Sequence, residues 1–323
     1  MKDKGFVTTA VLSAFCLLSL VFSLHARGTT TASFVKITPS ARPSAMGGAF
    51  VGLADDVNSV FLNPAGLAHM DQPEVFFTYG RWIEDINNNH LAGCMPFGRN
   101  VLGIGINQLQ VTGIEWTDAD GNPKPGSDVS ETFITAGYAF KISGNVGIGL
   151  AVKGISQKYG DNYSGGGFAL DLSAHSKGGS LSFGGAVQNL GPPVQISGGL
   201  NDLPMTIKLG TAVKFIRDGV AVIDVEKPAE TDVKFAIGAE YIIEGLFAVR
   251  AGYGQIDKFS TLRGWTAGFG SRTSLERKFG MDDMSAPEEG DSQVYLDYAI
   301  GYFGEELGYV HRVTLGVKFG KAR

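Results

Sequence analysis

The chain has 323 residues and a net charge of −5, which speaks against a nucleic-acid partner, since that calls for a basic surface. Glycine is abundant at 46 residues and aromatics make up 11%, while charged residues reach only 18% against about 25% in soluble domains. Many glycines, many aromatics and few charges fit a sheet-rich protein with large apolar faces.

The first 26 residues read as a secretory signal peptide. Lys2 and Lys4 make a positive start, Phe6 to Leu24 is apolar and uncharged, and Ala26 is the last residue before the expected cut. An uncleaved anchor is the competing reading, because the stretch nearly reaches the ~20 residues needed to span a bilayer. Phe15 before Cys16 speaks against a lipoprotein signal. Removal of the signal leaves Cys94 alone, with neither a disulfide nor a thiolate cluster available. No second long apolar run follows.

Residues 27–72 lack strand alternation. Within them Ser40 to Met70 reads SARPSAMGGAFVGLADDVNSVFLNPAGLAHM. Apolar residues fall at Phe50, Leu53, Ala54, Val57, Val60 and Phe61, a helical spacing. Pro64 ends that run, and Asn63 is placed to cap a new turn with Pro64 at its first position. Gly47-Gly48 lacks the spacing of a phosphate loop and follows no strand. Asp55-Asp56 could contribute to a calcium site, but an oxygen cage needs more ligands, and a solvated or capping pair is the simpler reading. A compact piece of short helices before the first strand suits a plug.

From residue 73 to 323 the chain alternates apolar with small or charged residues. Ile207 to Phe215, Val233 to Tyr241 and Val294 to Tyr302 show period two. Fourteen windows follow this rule, near 73–81, 89–97, 100–111, 130–141, 145–157, 166–175, 180–189, 204–215, 219–226, 231–242, 245–254, 261–270, 291–302 and 309–320. Many reach the ~9–11 residues of a membrane-spanning strand. Aromatics, among them Tyr79, Trp82, Tyr138, Tyr241, Tyr253, Trp265, Tyr298, Tyr302 and Tyr309, sit near strand ends, where headgroups would lie. The predicted fold is all-β: a closed antiparallel transmembrane barrel of about fourteen strands, apolar outward, with a short helical N-terminal plug.

Links alternate between short (Gly98-Arg99, Ser143-Gly144, Ser176 to Gly178, Arg217-Asp218, Ile243-Glu244) and long (Thr112 to Val129, Tyr159 to Gly165, Leu190 to Leu203). This predicts both termini on the periplasmic side, where turns are short. The charged stretch Ser271 to Gly290 breaks the rule where a turn is expected, either as a periplasmic insertion or through a slip in the strand boundaries there. Inward positions carry Lys153, Asp171, His175, Lys208, Lys214, Lys234, Glu240, Arg250, Asp297, Arg312 and Lys318, of mixed sign. They read as lumen pairs bracing the barrel. His175 and Asp171 share a face but lie about 13 Å apart at a strand's rise, too far for a dyad. No Ser–His–Asp order, H-E-x-x-H or metal-ligand cluster is present, so neither an enzyme nor a bound cofactor or metal is expected.

The stretch ARPSAMGGAFVGLADDVNSVFLNPAGLA resembles the N-terminal signature of the PorV/PorQ family of outer-membrane proteins, related to FadL-type transporters of hydrophobic compounds. NLGPPV at Asn189 to Val194, LPMTIKLGTAV at Leu203 to Val213, GAEYII at Gly238 to Ile243, VRAGYG at Val249 to Gly254, LDYAIGY at Leu296 to Tyr302 and HRVTLGVKF at the end look like its later landmarks, in order. The resemblance implies a fourteen-stranded barrel in a bacterial outer membrane, with Met46, Gly47, Gly48, Asp55, Asp56, Asn63, Pro64, Ala65 and Gly66 in a hatch element. Four residues follow Phe319, where many barrels end on the aromatic. PorV-like relatives act in type IX secretion and surface attachment of exported proteins. FadL-like relatives pass hydrophobic small molecules, of the long-chain fatty-acid kind, through a plugged barrel by hatch opening and exit through the wall. Expected partners are outer-membrane lipid, the barrel assembly machinery, and either secreted proteins or hydrophobic small molecules. An apolar pocket behind the hatch would favour transport; apolar rim loops such as Leu190 to Leu203 would favour partner binding.

Overall fold

The structure, a computed structural model, describes residues 30–81, 86–114, 116–117, 121–124, 128–160, 163–196, 199–255, 263–275, 292–302, 304 and 308–320. The expected signal peptide, Trp82 and most of the 271–290 insertion lie outside the described residues.

Fourteen antiparallel strands close on themselves, each paired with its neighbours in sequence. They are β1 (Glu74–Arg81), β2 (Asn87–Phe97), β3 (Asn100–Val111), β4 (Val129–Lys141), β5 (Val146–Tyr159), β6 (Tyr163–Gly178) and β7 (Leu181–Leu190). The second half comprises β8 (Thr206–Ile216), β9 (Gly219–Pro228), β10 (Lys234–Ile243), β11 (Phe247–Gln255), β12 (Arg263–Ser274), β13 (Gln293–Tyr302) and β14 (Tyr309–Lys318). Closure comes from β1 against β14, in register from Glu74 with Lys318 to Arg81 with His311.

Side-chain alternation runs opposite to that of a soluble sandwich. On β3, Leu102, Ile104 and Ile106 face out, Ile104 at 58% exposure, while Val101, Gly103, Gly105 and Asn107 face in. Buried inward residues elsewhere include Thr135, Lys153, Gln157, Asp171 and Asp297. An outer apolar skin around a polar interior is stable only where the surroundings are themselves apolar. No helix among the described residues is long and apolar enough to cross a membrane, which says nothing of strands.

Five strand connections at one end are short, as at Gly98-Arg99 and Arg217-Asp218. The β12–β13 link, from 275 to 292, is the long exception at that end. At the other end the 191–205 link carries its own hairpin, Val194–Ile196 against Gly199–Asn201. The loop expected between Tyr159 and Gly165 is mostly strand: β5 runs to Tyr159 and β6 starts at Tyr163. Cross-strand pairing of Lys158 with Ser164 and Gln157 with Gly165 extends the ladder past the expected boundary.

Residues 30–73 thread the lumen. Thr30 bridges Asp202 at the long-loop end, and the chain then reaches β1 at the short-turn end. Both barrel-strand ends, before Glu74 and after Lys318, therefore share the short-turn end as expected, whereas the described start of the chain at Thr30 does not. This lumen segment holds a 3₁₀ turn (Ser33–Lys36), helix α1 (Ala41–Ala45), helix α2 (Ser59–Leu62) and a 3₁₀ helix (Pro64–His69). The helical spacing from Phe50 to Phe61 translates into helix only at α2. Gly47 and Gly48 adopt positive φ and Ala54 sits at φ 34, which breaks the run into turns. Pro64 does open a helical turn, but Asn63 does not cap it. Its amide donates instead to the Val51 carbonyl at 2.9 Å.

Candidate functional site

The candidate site is the seam between the lumen segment and the barrel wall. Its closeness depends on wall glycines. A Cβ added at Gly103 would lie 2.9 Å from the Leu67 side chain, and one at Gly137 would crowd Val60. Side chains at Gly149, Gly184 and Gly252 would overlap Ala65, Val51 and Met46. The contact is reciprocal: Gly47 has φ +70, and a Cβ there would meet the Tyr253 backbone at 2.6 Å. Much of the glycine content therefore serves close approach of two backbones.

Polar groups of the wall satisfy the orphan backbone groups of the segment. The Asp224 carboxylate on β9 accepts the Phe50 and Val51 N–H groups at 2.6 and 2.7 Å and that of Gly52 at 3.3 Å. Ser182 donates to the Gly52 carbonyl at 2.7 Å, and His175 lies 3.1 Å from the same oxygen. Gln188 donates to the Phe61 carbonyl, while Ser173 accepts from Ala65 N–H at 2.8 Å. At α1, Thr314 accepts the Ala41 N–H, and Thr266 accepts from Gly47 N–H and donates to the Ala45 carbonyl, each at 2.9 Å. Buried backbone groups must find partners, and here the opposite wall supplies them.

Arg42 is the ionic hub. Its guanidinium reaches Asp55 and Asp56 at 2.6 Å within the segment and Glu240 on β10 at 2.8 Å. Glu240 also accepts from Arg250 at 2.6 Å, and Arg250 holds Asp297 at 2.6 Å. Burial alone would lower the Arg42 pKa, but the Asp55, Glu240 and Asp56 carboxylates raise it well above its ordinary value. Burial pushes the Asp55 carboxyl up; the Arg42 guanidinium overrides this and holds it below the usual range. Asp56 additionally accepts the Asn58 N–H at 2.8 Å. The acidic pair is thus an ion-paired turn rather than a solvated one. Among the described residues no group of three or more His, Cys, Asp or Glu is placed to hold a metal.

The other inward charges expected from the sequence fall into smaller sets. Lys153 pairs with Asp171 at 2.7 Å and Asn189 at 2.8 Å. A register irregularity between Leu170 and Leu172, with Asn189 at φ 60, accompanies donation of the Asn189 N–H to Asp171. Lys208 pairs with Glu226 at 2.9 Å, and Lys234 stands opposite Glu226 in the ladder. Arg312 donates to Ser44 of α1 at 2.9 Å, and Lys318 lies 3.7 Å from Glu74. His175 and Asp171 have separate partners and form no dyad. His175 instead packs edge-on against His69, ring centroids 5.0 Å apart. Burial, with His175, Lys141 and Lys177 nearby, lowers the His69 pKa to about 4.

Met46, Phe50, Pro64, Ala65 and Gly66 are all buried in the seam. Gly66 is also pinned against Ala54, where a Cβ would overlap. Sequence reasoning missed Arg42, Asp224 and Glu226. Strand parity could have found the last two, because 220, 222, 224 and 226 all lie on the inner face of β9. Arg42 lies in the same stretch as its partners Asp55 and Asp56, but its wall partner Glu240 is 198 residues away.

Two cavities flank the segment. At the long-loop end a space of about 280 Å³ is bordered by Ile37, Leu62, Ala236 and Val310 as well as Lys208, Glu226, Lys234 and Arg312. Phe235 and Ile300, on the outward face by strand parity, also border it. At the short-turn end a space of about 210 Å³ adjoins the Arg42 network.

No family model and no curated protein matches the sequence. Solved structures do match its fold. The Pseudomonas putida toluene transporter TodX superposes with TM-score 0.60 at 12% identity, over 88% of this chain and 99% of that one. A Pseudomonas aeruginosa FadL homologue gives 0.58 at 11% identity, over 91% and 100%. The monoaromatic hydrocarbon channel CymD gives 0.59 at 12%, over 88% and 97%. The chain thus shares the barrel fold of these proteins, of which TodX is a toluene transporter and CymD a monoaromatic hydrocarbon channel.

Proposed function

We propose that this chain sits in a bacterial outer membrane as a passive channel for small hydrophobic molecules, with residues 40–68 as its closed hatch. The observation that carries this reading is the partly apolar cavity of about 280 Å³ behind the segment, near the lower bound of small-molecule pockets. Its border with outward-facing Phe235 and Ile300 supports exit through the wall. The short-turn end faces the periplasm on this reading, the lipid-facing skin is the outer apolar band, and β14 with Phe319 is the strand offered to the assembly machinery.

Secretion and surface attachment, the first expectation from the sequence, rests on the PorV/PorQ resemblance alone. The structural neighbours include a toluene transporter and a monoaromatic hydrocarbon channel, which supports transport here. The 191–205 link, expected to present apolar surface if partners dock there, buries Val194 and Leu203 and exposes Leu200.

Deletion of residues 40–68, assayed as uptake of a hydrophobic dye by vesicles carrying the inserted barrel, is expected to raise the rate severalfold. An inserted deletion variant with unchanged uptake would count against the gate.

A further inference from the structure

We propose that the cavity at the short-turn end is an anion site, shaped for a small carboxylate or phosphate, with Arg272 as its principal ligand. This goes beyond the transport reading, and its test reads binding and not flux, so the two stand or fall separately.

The argument is an account of donors and acceptors. Of the carboxylates on this cavity, all but Asp218, at the β8–β9 turn, are already engaged. Asp55 and Asp56 bind Arg42, Glu240 is shared by Arg42 and Arg250, and Asp297 binds Arg250, at 2.6 to 2.8 Å. The cations are not all engaged. Arg272 lies on the inner face of β12, opposite Tyr295 in the ladder, and lines the cavity with Lys214, Arg217 and the Gln293 amide. Among the described residues, no carboxylate oxygen lies within the 4.0 Å ion-pair limit of Arg272, Lys214 or Arg217. Against three cations without an ion pair the wall sets one carboxylate, that of Asp218, so its free hydrogen-bonding capacity remains donor-rich. A guanidinium in such a place offers a planar fork that matches the two oxygens of a carboxylate or phosphate. The volume of about 210 Å³ is ample for a small anion.

The position gives the site a consequence. Arg42 borders the same cavity as Arg272, so an anion bound there adds negative charge beside the guanidinium that joins the lumen segment to Glu240. The occupant competes with Asp55, Asp56 and Glu240 for that cation.

The test titrates phosphate and, separately, butyrate into the full chain in detergent micelles, following the thermal midpoint, with chloride at matched ionic strength as reference. A saturable rise with phosphate or with butyrate, absent with chloride, is expected. Response to phosphate alone identifies a phosphate or headgroup source, and response to butyrate alone a carboxylate-ended molecule. R272Q should weaken the apparent affinity at least tenfold, R272K should retain part of it, and R99Q, at an exposed turn of the same end, should leave it unchanged. If R272Q does not fold, R272K against R99Q carries the comparison. A rise matched by chloride, no saturable rise with either anion, or equal affinity in R272Q or R272K and the unaltered chain overturns the proposal.

Discussion

Asp224 is the wall residue whose removal should loosen the lumen segment most directly. Its carboxylate accepts three consecutive N–H groups, from Phe50, Val51 and Gly52, two of them at 2.6 and 2.7 Å. Phe50 and Val51 are buried, and their N–H groups have no other partner among the described residues. A hydrogen bond to a charged group contributes about 1.5–3 kcal/mol, and a stranded buried donor costs about 1–3 kcal/mol. Asp224→Ala removes two strong bonds and strands two donors; since these costs overlap, a net loss of about 3–5 kcal/mol is expected. Asp224→Asn keeps one acceptor oxygen and should cost about half as much. At 1.4 kcal/mol per decade, the alanine variant should lower hydrogen-exchange protection of the 50–52 amides by roughly two to four orders of magnitude. Amides of β3 such as that of Ile104 should be unaffected, which separates local release from loss of the barrel. Unchanged protection at Phe50 and Val51 in a folded Asp224→Ala barrel would refute the argument and leave packing as what holds the segment.

Other consequences follow from the same seam and from the outer face. Gly149→Val should displace Ala65, because even a Cβ there overlaps its backbone; cysteine accessibility at position 65 should rise while the barrel stays closed. Ile104→Lys places a charge on the outer skin and should cost about 2–4 kcal/mol in refolding into lipid vesicles if this position lies near mid-bilayer. Docking of the Pro64–His69 turn should weaken on acidification. The folded His69 pKa of about 4 lies below its ordinary value of 6.5, so the unfolded form binds the extra proton first. Stability from neutral His69 is full above pH 6.5 and falls as pH drops towards 4. Exchange at residues 66–70 should accelerate across that window, and His69→Gln should flatten the dependence.

The strands were legible because two unlike environments act on alternate residues, and the zigzag of Ile104 and Asn107 on β3 records both. Loss of that alternation concealed the length of β5 and β6, since Tyr163 to Gly165 is polar and glycine-rich yet still paired. Helical spacing from Phe50 to Phe61 misled for a physical reason. Periodicity reports structure only when a segment has one buried face, and this one is enclosed on all sides. Phe50, Val51, Val57 and Val60 are each at most 1% exposed whatever their backbone does. The expected cap at Asn63 failed likewise, because the Val51 carbonyl within the same folded segment offered its amide a partner. Parity placed Lys153, Asp171, Glu240, Arg250 and Asp297 on the inner wall, but pairing between them depends on strand register, which the sequence does not print.

The ionic hub explains how a short, largely non-helical segment keeps one position in the lumen. Isolated helices of four or five residues have no stability of their own, so α1 and α2 persist through contacts with the wall. Glu240 links two systems: it holds Arg42 of the segment and Arg250 of the wall, and Arg250 in turn holds Asp297 on β13. Removing one member leaves a buried charge short of its partner, which is far costlier than the pair is worth. Separation of the segment is therefore disfavoured until something compensates the Arg42 guanidinium and the freed side of Glu240. Water entering the seam can solvate both groups, whereas an anion arriving from the short-turn end would compensate Arg42 alone and leave Glu240 to its remaining partner Arg250.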